Sequence, residues 1–169
     1  MKVLLLHFTH PEGYPPALNA INCLAKKVEF MTILSTQTLP TRWEYPSNVR
    51  LDLLEGDHDR FKHVNRSKKE KIKSYRQYVS KIKFYLKEGD IDLVLIYDNV
   101  PFLLYLMAIG FRKQKHKLWY HNHDIYPLSH YKKYTINWFS YIFLQRFFKL
   151  VDIFSIPALE RADMFPLKN

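Results

Sequence analysis

A chain of 169 residues, 47% hydrophobic and 25% charged, suits one soluble globular domain with a sizeable core. Lys and Arg number 26 against 16 Asp and Glu, a formal net charge of +10, and 16% of residues are aromatic, a combination that suits a membrane face or a polyanion. The single cysteine, Cys23, excludes an internal disulfide framework and a cysteine-based zinc site.

The cell interior is the expected compartment. The N-terminal apolar run is too short for a signal peptide, and no 18-residue apolar run exists to span a bilayer. A cytoplasmic protein is expected, peripheral at the inner face of the cell membrane if its basic surface meets lipid. That surface is concentrated, since residues 61–90 hold 10 basic and 3 acidic side chains.

Residues 2–8 (KVLLLHF) are apolar almost without alternation, which predicts a central parallel strand covered on both faces. A loop rich in proline follows at 9–16. The spacing of Leu18, Ile21, Leu24 and Ala25 predicts a helix over 17–27. Residues 30–35 read as a strand and 36–48 as a loop. Residues 49–54 (VRLDLL) alternate, as an edge strand does.

A polar turn is expected at 55–59. A long basic helix follows over 66–87, with Ile72, Tyr75, Val79, Ile82 and Leu86 as its apolar stripe and Gly89-Asp90 as its stop. Residues 91–97 (IDLVLIY) form the second strongly apolar strand, and a helix carrying Pro101 in its first turn runs to Gly110. Residues 118–120 are a short strand, 132–150 an aromatic helix, 152–156 a last strand and 157–164 the start of another helix.

Strands alternating with helices predict a Rossmann-like α/β fold: a doubly wound parallel sheet with helices on both faces. The two most apolar strands belong at its centre, so the switch point lies between the first and fourth strands. Three polar pieces then meet on one rim. They are the loop with Glu12, Gly13 and Tyr14, the pair Asp98 and Asn99, and the cluster His121, Asn122, His123 and Asp124.

Several chemistries lack their motif. The first loop has only Gly13, between Pro11 and Pro15, and no Walker lysine, so nicotinamide, flavin and nucleoside-triphosphate binding of those kinds are not expected. No G-x-S-x-G elbow supports a serine nucleophile. His121 and His123 share a strand face and could ligate a metal with His10, Asp98 or Asp124, but no second clustered motif accompanies them, and no metal is expected. Lys68, Lys69, Lys73 and Lys81 on the basic helix form a solvated face or a surface for an anionic bilayer; no nucleic-acid partner is expected. The helix over 132–150 is apolar on more sides than one sheet can cover, so further protein or a lipid interface is expected against it.

The succession KVLLLHF, a basic helix running into GDIDLVLIYDN, then KLWYHNHD, then LVDIFSIPALERADMF resembles the N-terminal domain of family 4-like, retaining glycosyltransferases of the GT-B fold. The resemblance implies that residues 1–169 are an acceptor-binding lobe. A nucleotide-sugar donor would be held mainly by a separate C-terminal domain or subunit, so no cofactor is assigned to this chain, and the chain alone is expected to be inactive. It further implies substrate contacts from Glu12, Gly13 and Tyr14, although the family's loop has a glycine pair where this one has Gly13 alone. It places His121 or His123 near the sugar. The catalytic candidates are His121, His123 and Asp124; Asp98 and Asn99 are candidates for substrate binding. The expected function is transfer of a sugar to a glycan or lipid-linked acceptor in cell-surface polysaccharide synthesis. The alternative is a non-catalytic basic module that docks on an anionic membrane surface or polyanion.

Overall fold

The computed structural model describes residues 1–39, 43–54 and 66–167. The polar turn expected at 55–59 lies outside the described residues. Six strands form one all-parallel sheet: β1 (Lys2–Leu6), β2 (Phe30–Ser35), β3 (Val49–Leu53), β4 (Leu93–Tyr97), β5 (Lys117–His121) and β6 (Ile153–Ser155). Their order is β3-β2-β1-β4-β5-β6, a Rossmann-like arrangement whose switch point lies between β1 and β4. Leu4, Leu5, Leu6, Val94, Leu95 and Ile96 at the centre are fully buried, while the alternating β3 is an edge.

The register carries the pleat across the sheet. Leu5 pairs with Leu95 and Leu95 with Trp119; Leu6 pairs with Ile96 and Ile96 with Tyr120. Odd-numbered residues of β1, β4 and β5 therefore share one face and even-numbered ones the other. Val3, Leu5, Leu95 and Tyr97 pack with Ala17 and Ile21 of α1 (Pro15–Ala25). Leu4, Leu6, Val94, Ile96 and Tyr120 lie in the core of the opposite face, with α2 (Lys68–Glu88), α3 (Asn99–Ile109) and α4 (Ile136–Phe147).

α2 begins with a capping box. The Glu70 N–H donates to Ser67 Oγ and the Ser67 N–H donates to the Glu70 carboxylate, an arrangement that stabilises a helix start by about 1 kcal/mol. Tyr75, Val79, Ile82 and Leu86 of the expected stripe face the core, joined by Tyr78 and Tyr85, and only Ile72 departs from it. Ile72 is 50% exposed, and Tyr78 is fully buried with its hydroxyl donating to Leu34 O at 3.0 Å. A tyrosine can be core when its O–H finds such a partner. Lys81 donates to both carboxylate oxygens of Asp52 at 2.9 and 3.0 Å, and Tyr85 donates to Asp52 at 2.6 Å, tying α2 to β3.

Two helices differ in extent from expectation. α1 starts at Pro15, because prolines in a first turn sacrifice no hydrogen bond. The helix expected over 132–150 is α4 followed by a 3-10 turn at Phe148–Leu150. It cannot begin earlier, because Tyr134 has φ 62° and Thr135 caps the helix by accepting from the Trp138 N–H at 3.4 Å. The segment expected as a helix over 157–164 is a 3-10 stretch, Leu159–Met164. Among the described residues, no helix is long and apolar enough to cross a membrane.

Candidate functional site

Parallel strands deliver their carboxyl ends to one rim, and a cavity of about 860 Å³ opens there. Phe8 and Thr9 reach it from the end of β1, Asp98 and Asn99 from β4, and Asn122 and Asp124 from β5. The starts of α2 and α4 close it, with Lys68, Lys71 and Tyr75 from the first and Thr135, Ile136 and Asn137 from the second. Tyr126, Tyr131 and Tyr134 add an aromatic wall. The volume falls within the range of small-molecule sites, about 300–1,000 Å³.

Asp98 is held in a strained backbone conformation on this rim. Its φ of 70° and ψ of 170° lie in a region nearly reserved for glycine, a conformation that costs about 1–3 kcal/mol. Its side chain does not cap α3. Burial, and then the Asp124 carboxylate, push its pKa up to about 6, opposed by a hydrogen bond from the His123 backbone. A carboxyl poised there can accept a hydrogen bond from a ligand hydroxyl and exchange a proton near neutrality.

Beneath it lies a buried polar network. Tyr120 donates to Asn99 Oδ1, and Asn122 Nδ2 lies 3.0 Å from Asn99 Oδ1 and 2.7 Å from the Tyr120 hydroxyl. Asn122 is 1% exposed, yet its Oδ1 accepts no hydrogen bond from the protein.

The pleat divides the cluster that stands together in the sequence. Asn122 and Asp124 line the cavity; His121 and His123 belong to a second group, beside α1. There the ring of His121 lies 4.9 Å from that of Tyr97, Tyr97 lies 5.8 Å from Tyr14, and Tyr14 lies 5.4 Å from His123. His7 completes the group 5.3 Å from Tyr14. Its Nδ1 donates to Thr9 O, and burial holds its pKa down to about 4, so it is a neutral imidazole. Burial also lowers His121, with His123 adding to the effect. Ser155 Oγ accepts from Trp119 and lies 2.8 Å from His121 Nδ1. His7 Nε2, the Tyr14 hydroxyl, His121 Nε2 and His123 Nδ1 are buried with no hydrogen-bond partner among the protein groups.

The two groups meet at His123, whose backbone bonds Asp98 and whose carbonyl accepts from Arg161. Arg161 also pairs with Asp124 at 3.6 Å. The ERAD segment thus returns to the rim.

The other sequence candidates are placed as follows. Glu12 lies outside the cavity and accepts from Thr38 at 2.9 Å and Tyr45 at 2.8 Å. Gly13 packs on His10, whose ring a Cβ would meet at 2.4 Å. Lys68 lines the cavity, Lys69 and Lys73 are exposed, and Lys81 is engaged by Asp52. Among the described residues, no group of three or more His, Cys, Asp or Glu is placed to hold a metal. Lys71, Tyr131, Tyr134 and Thr135 were not foreseen as lining the site. The available signal was the N-cap Thr135 directly after a run of tyrosines and lysines.

Fold and rim together define a Rossmann-like parallel α/β domain with a ligand-sized cavity at its switch point. No protein-family model and no curated protein matches the chain.

Proposed function

We propose that the chain is the acceptor-binding lobe of a GT-B glycosyltransferase, one that transfers a sugar from a nucleotide-sugar to a glycan or lipid-linked acceptor in cell-surface polysaccharide synthesis. The observation that carries this reading is the cavity at the β1/β4/β5 rim. Asp98, Asn99, Asn122 and Asp124 offer it acceptors and donors suited to hydroxyls, and Tyr126, Tyr131 and Tyr134 offer flat apolar faces. A pyranose ring has both kinds of surface, hydroxyl edges and C–H faces.

The histidine group has a separate part in this reading. His123, with a buried unpaired Nδ1, packs on Tyr14 and bonds Asp98 through its backbone, so its ring is suited to hydrogen-bond a sugar hydroxyl or steady charge on a departing phosphate. The donor is assigned to a second domain or subunit, so both lobes are needed to orient the reacting groups. The test is sugar transfer by the complete gene product from a panel of nucleotide-sugars. Transfer by the complete product and none by residues 1–169 alone is the expected pattern. Failure of every donor with both glycan and lipid-linked acceptors would remove the reading.

A second reading, docking on an anionic membrane, is favoured by one feature of α2. Ile72 and Phe84 are 50% and 57% exposed on a helix whose Lys69, Lys73 and Lys83 are also exposed.

A further inference from the structure

The cavity does not have one kind of lining. Its strand-end part carries the carboxylates Asp98 and Asp124; its α2 part carries Lys68 and Lys71. We infer that the ligand of this cavity is a saccharide bearing an anionic group, a phosphate or a carboxylate, with its hydroxyls on the Asp98, Asn122 and Asp124 side and its negative charge at Lys68 and Lys71. The inference rests on the proposed reading of the cavity as a saccharide site.

Four observations converge on it. Among the described residues, Lys68 and Lys71 have no carboxylate partner, whereas Lys81, Lys87, Lys113 and Lys117 all do. Other surface lysines such as Lys69, Lys73 and Lys83 are equally unpaired among the described residues, so what distinguishes Lys68 and Lys71 is that they are unpaired and also line the cavity. Second, three helix N-termini open on this space, since Asn99, Lys68 and Ile136 are the first residues of α3, α2 and α4 and all line it. Ser67 with Glu70 caps α2 and Thr135 caps α4; the first-turn N–H groups that the caps leave, with the three dipoles, favour negative charge.

Third, Asn122 lines the cavity almost wholly buried, with an Oδ1 that accepts nothing from the protein. A buried acceptor without a donor is costly, about 1–3 kcal/mol, and a ligand hydroxyl would satisfy it. A carboxylate alone, having no proton to donate, would not; hydrogen phosphate keeps one P–OH, which is why inorganic phosphate is a control in the test below. Fourth, Asp98 and Asp124 repel negative charge, which fixes the orientation: hydroxyls against the carboxylates, the anion at the lysines. The net charge of +10, concentrated in the segment that contains α2, would draw such a ligand in.

The test is calorimetric titration of the chain with glucose, glucose 6-phosphate, glucuronate and inorganic phosphate, repeated with Lys68→Ala/Lys71→Ala. Both lysines are exposed, so the double variant should fold, and circular dichroism checks it. At least one acidic sugar should bind about tenfold or more tightly than glucose. That preference should shrink in high salt and vanish in the double variant. The tighter of glucose 6-phosphate and glucuronate identifies the anionic group. If glucose binds as tightly as both acidic sugars, or the double variant keeps the preference, the anionic-ligand inference is overturned while the saccharide site stands. If inorganic phosphate binds as tightly as glucose 6-phosphate, the sugar contributes nothing and the inference is overturned. If no sugar binds saturably, this inference and the saccharide reading beneath it both fall.

Discussion

The ring of His123 meets the ring of Tyr14 edge-on, centroids 5.4 Å apart at 85°. One residue follows β5 and the other precedes α1, so the contact spans the switch point between β1 and β4. Each side chain leaves a buried polar atom, His123 Nδ1 and the Tyr14 hydroxyl, without a protein partner. Such atoms are costly in a core and useful at a site.

His123→Ala should therefore separate function from stability. Under the proposed glycosyltransferase function it should lower kcat/KM by about tenfold or more, near 1.4 kcal/mol of transition-state stabilisation. The lost ring contact is worth about 0.5–1.5 kcal/mol, so Tm should fall by only about 2–5 °C. Steady-state kinetics with a melting curve check this. A variant that melts early but turns over normally per folded molecule makes His123 structural.

Asp98 predicts a pH-dependent stabilisation. Its carboxyl is raised from 3.8 to about 6 on folding, so between those values the native state holds more protons than the unfolded state. Stability contributed by this group then falls as pH rises through that window, and the cost is full above pH 6. Asp98→Asn cannot ionise, and asparagine tolerates positive φ better than most residues. It should match wild type near pH 4 and exceed it at pH 7 by about 2–3 kcal/mol, or about 5–10 °C in Tm. His7 works the other way: its pKa, held near 4, removes stability as pH falls below 6.5. It is common to both proteins and cancels in the difference. A difference curve that stays flat from pH 4 to 8 contradicts the assignment.

Much of the fold could be read from the sequence because burial writes itself as composition. The unbroken apolar runs of β1 and β4 placed them at the centre, and the alternation of β3 placed it at the edge. The site was legible only in part. Asp98, Asn99 and Asp124 line the cavity because polar residues directly after inner strands lie at the rim; Lys68 lines it as the first residue of α2. Adjacency in sequence groups the histidines with Asp124, but the alternation carried on from β5 turns neighbours to opposite faces. That split was available in principle. The Glu12 contacts were not, since they depend on where the β2–β3 connection runs. The aromatic wall is only partly legible: Tyr134 falls inside the expected helix over 132–150, whose pattern the backbone at Tyr134 abandons, and Tyr126 and Tyr131 lie in the loop before it.

The lysines of α2 should divide by stability. Lys81→Ala leaves Asp52, which is 8% exposed, without its cation, a loss of about 2–3 kcal/mol for a part-buried pair. Lys69→Ala and Lys73→Ala, at exposed positions, should stay within about 0.5 kcal/mol. Urea unfolding of the three variants checks this; equal midpoints contradict it.

Those two surface lysines also test the membrane reading. Lys69→Glu/Lys73→Glu should weaken cosedimentation with anionic vesicles, and raised salt should do the same to wild type, because screening shortens the reach of exposed charge. Equal binding to anionic and neutral vesicles would end that reading.

The central claim is that a saccharide sits on the β1/β4/β5 rim. The most direct measurement is a map of backbone amide shifts in the ¹⁵N-labelled chain on titration with glucose 6-phosphate and, separately, with glucuronate. The account predicts saturable shifts concentrated at Asp98, Asn99, Asn122, Asp124 and the first turns of α2 and α4. Shifts confined to other surfaces, or none at saturating ligand, would contradict it.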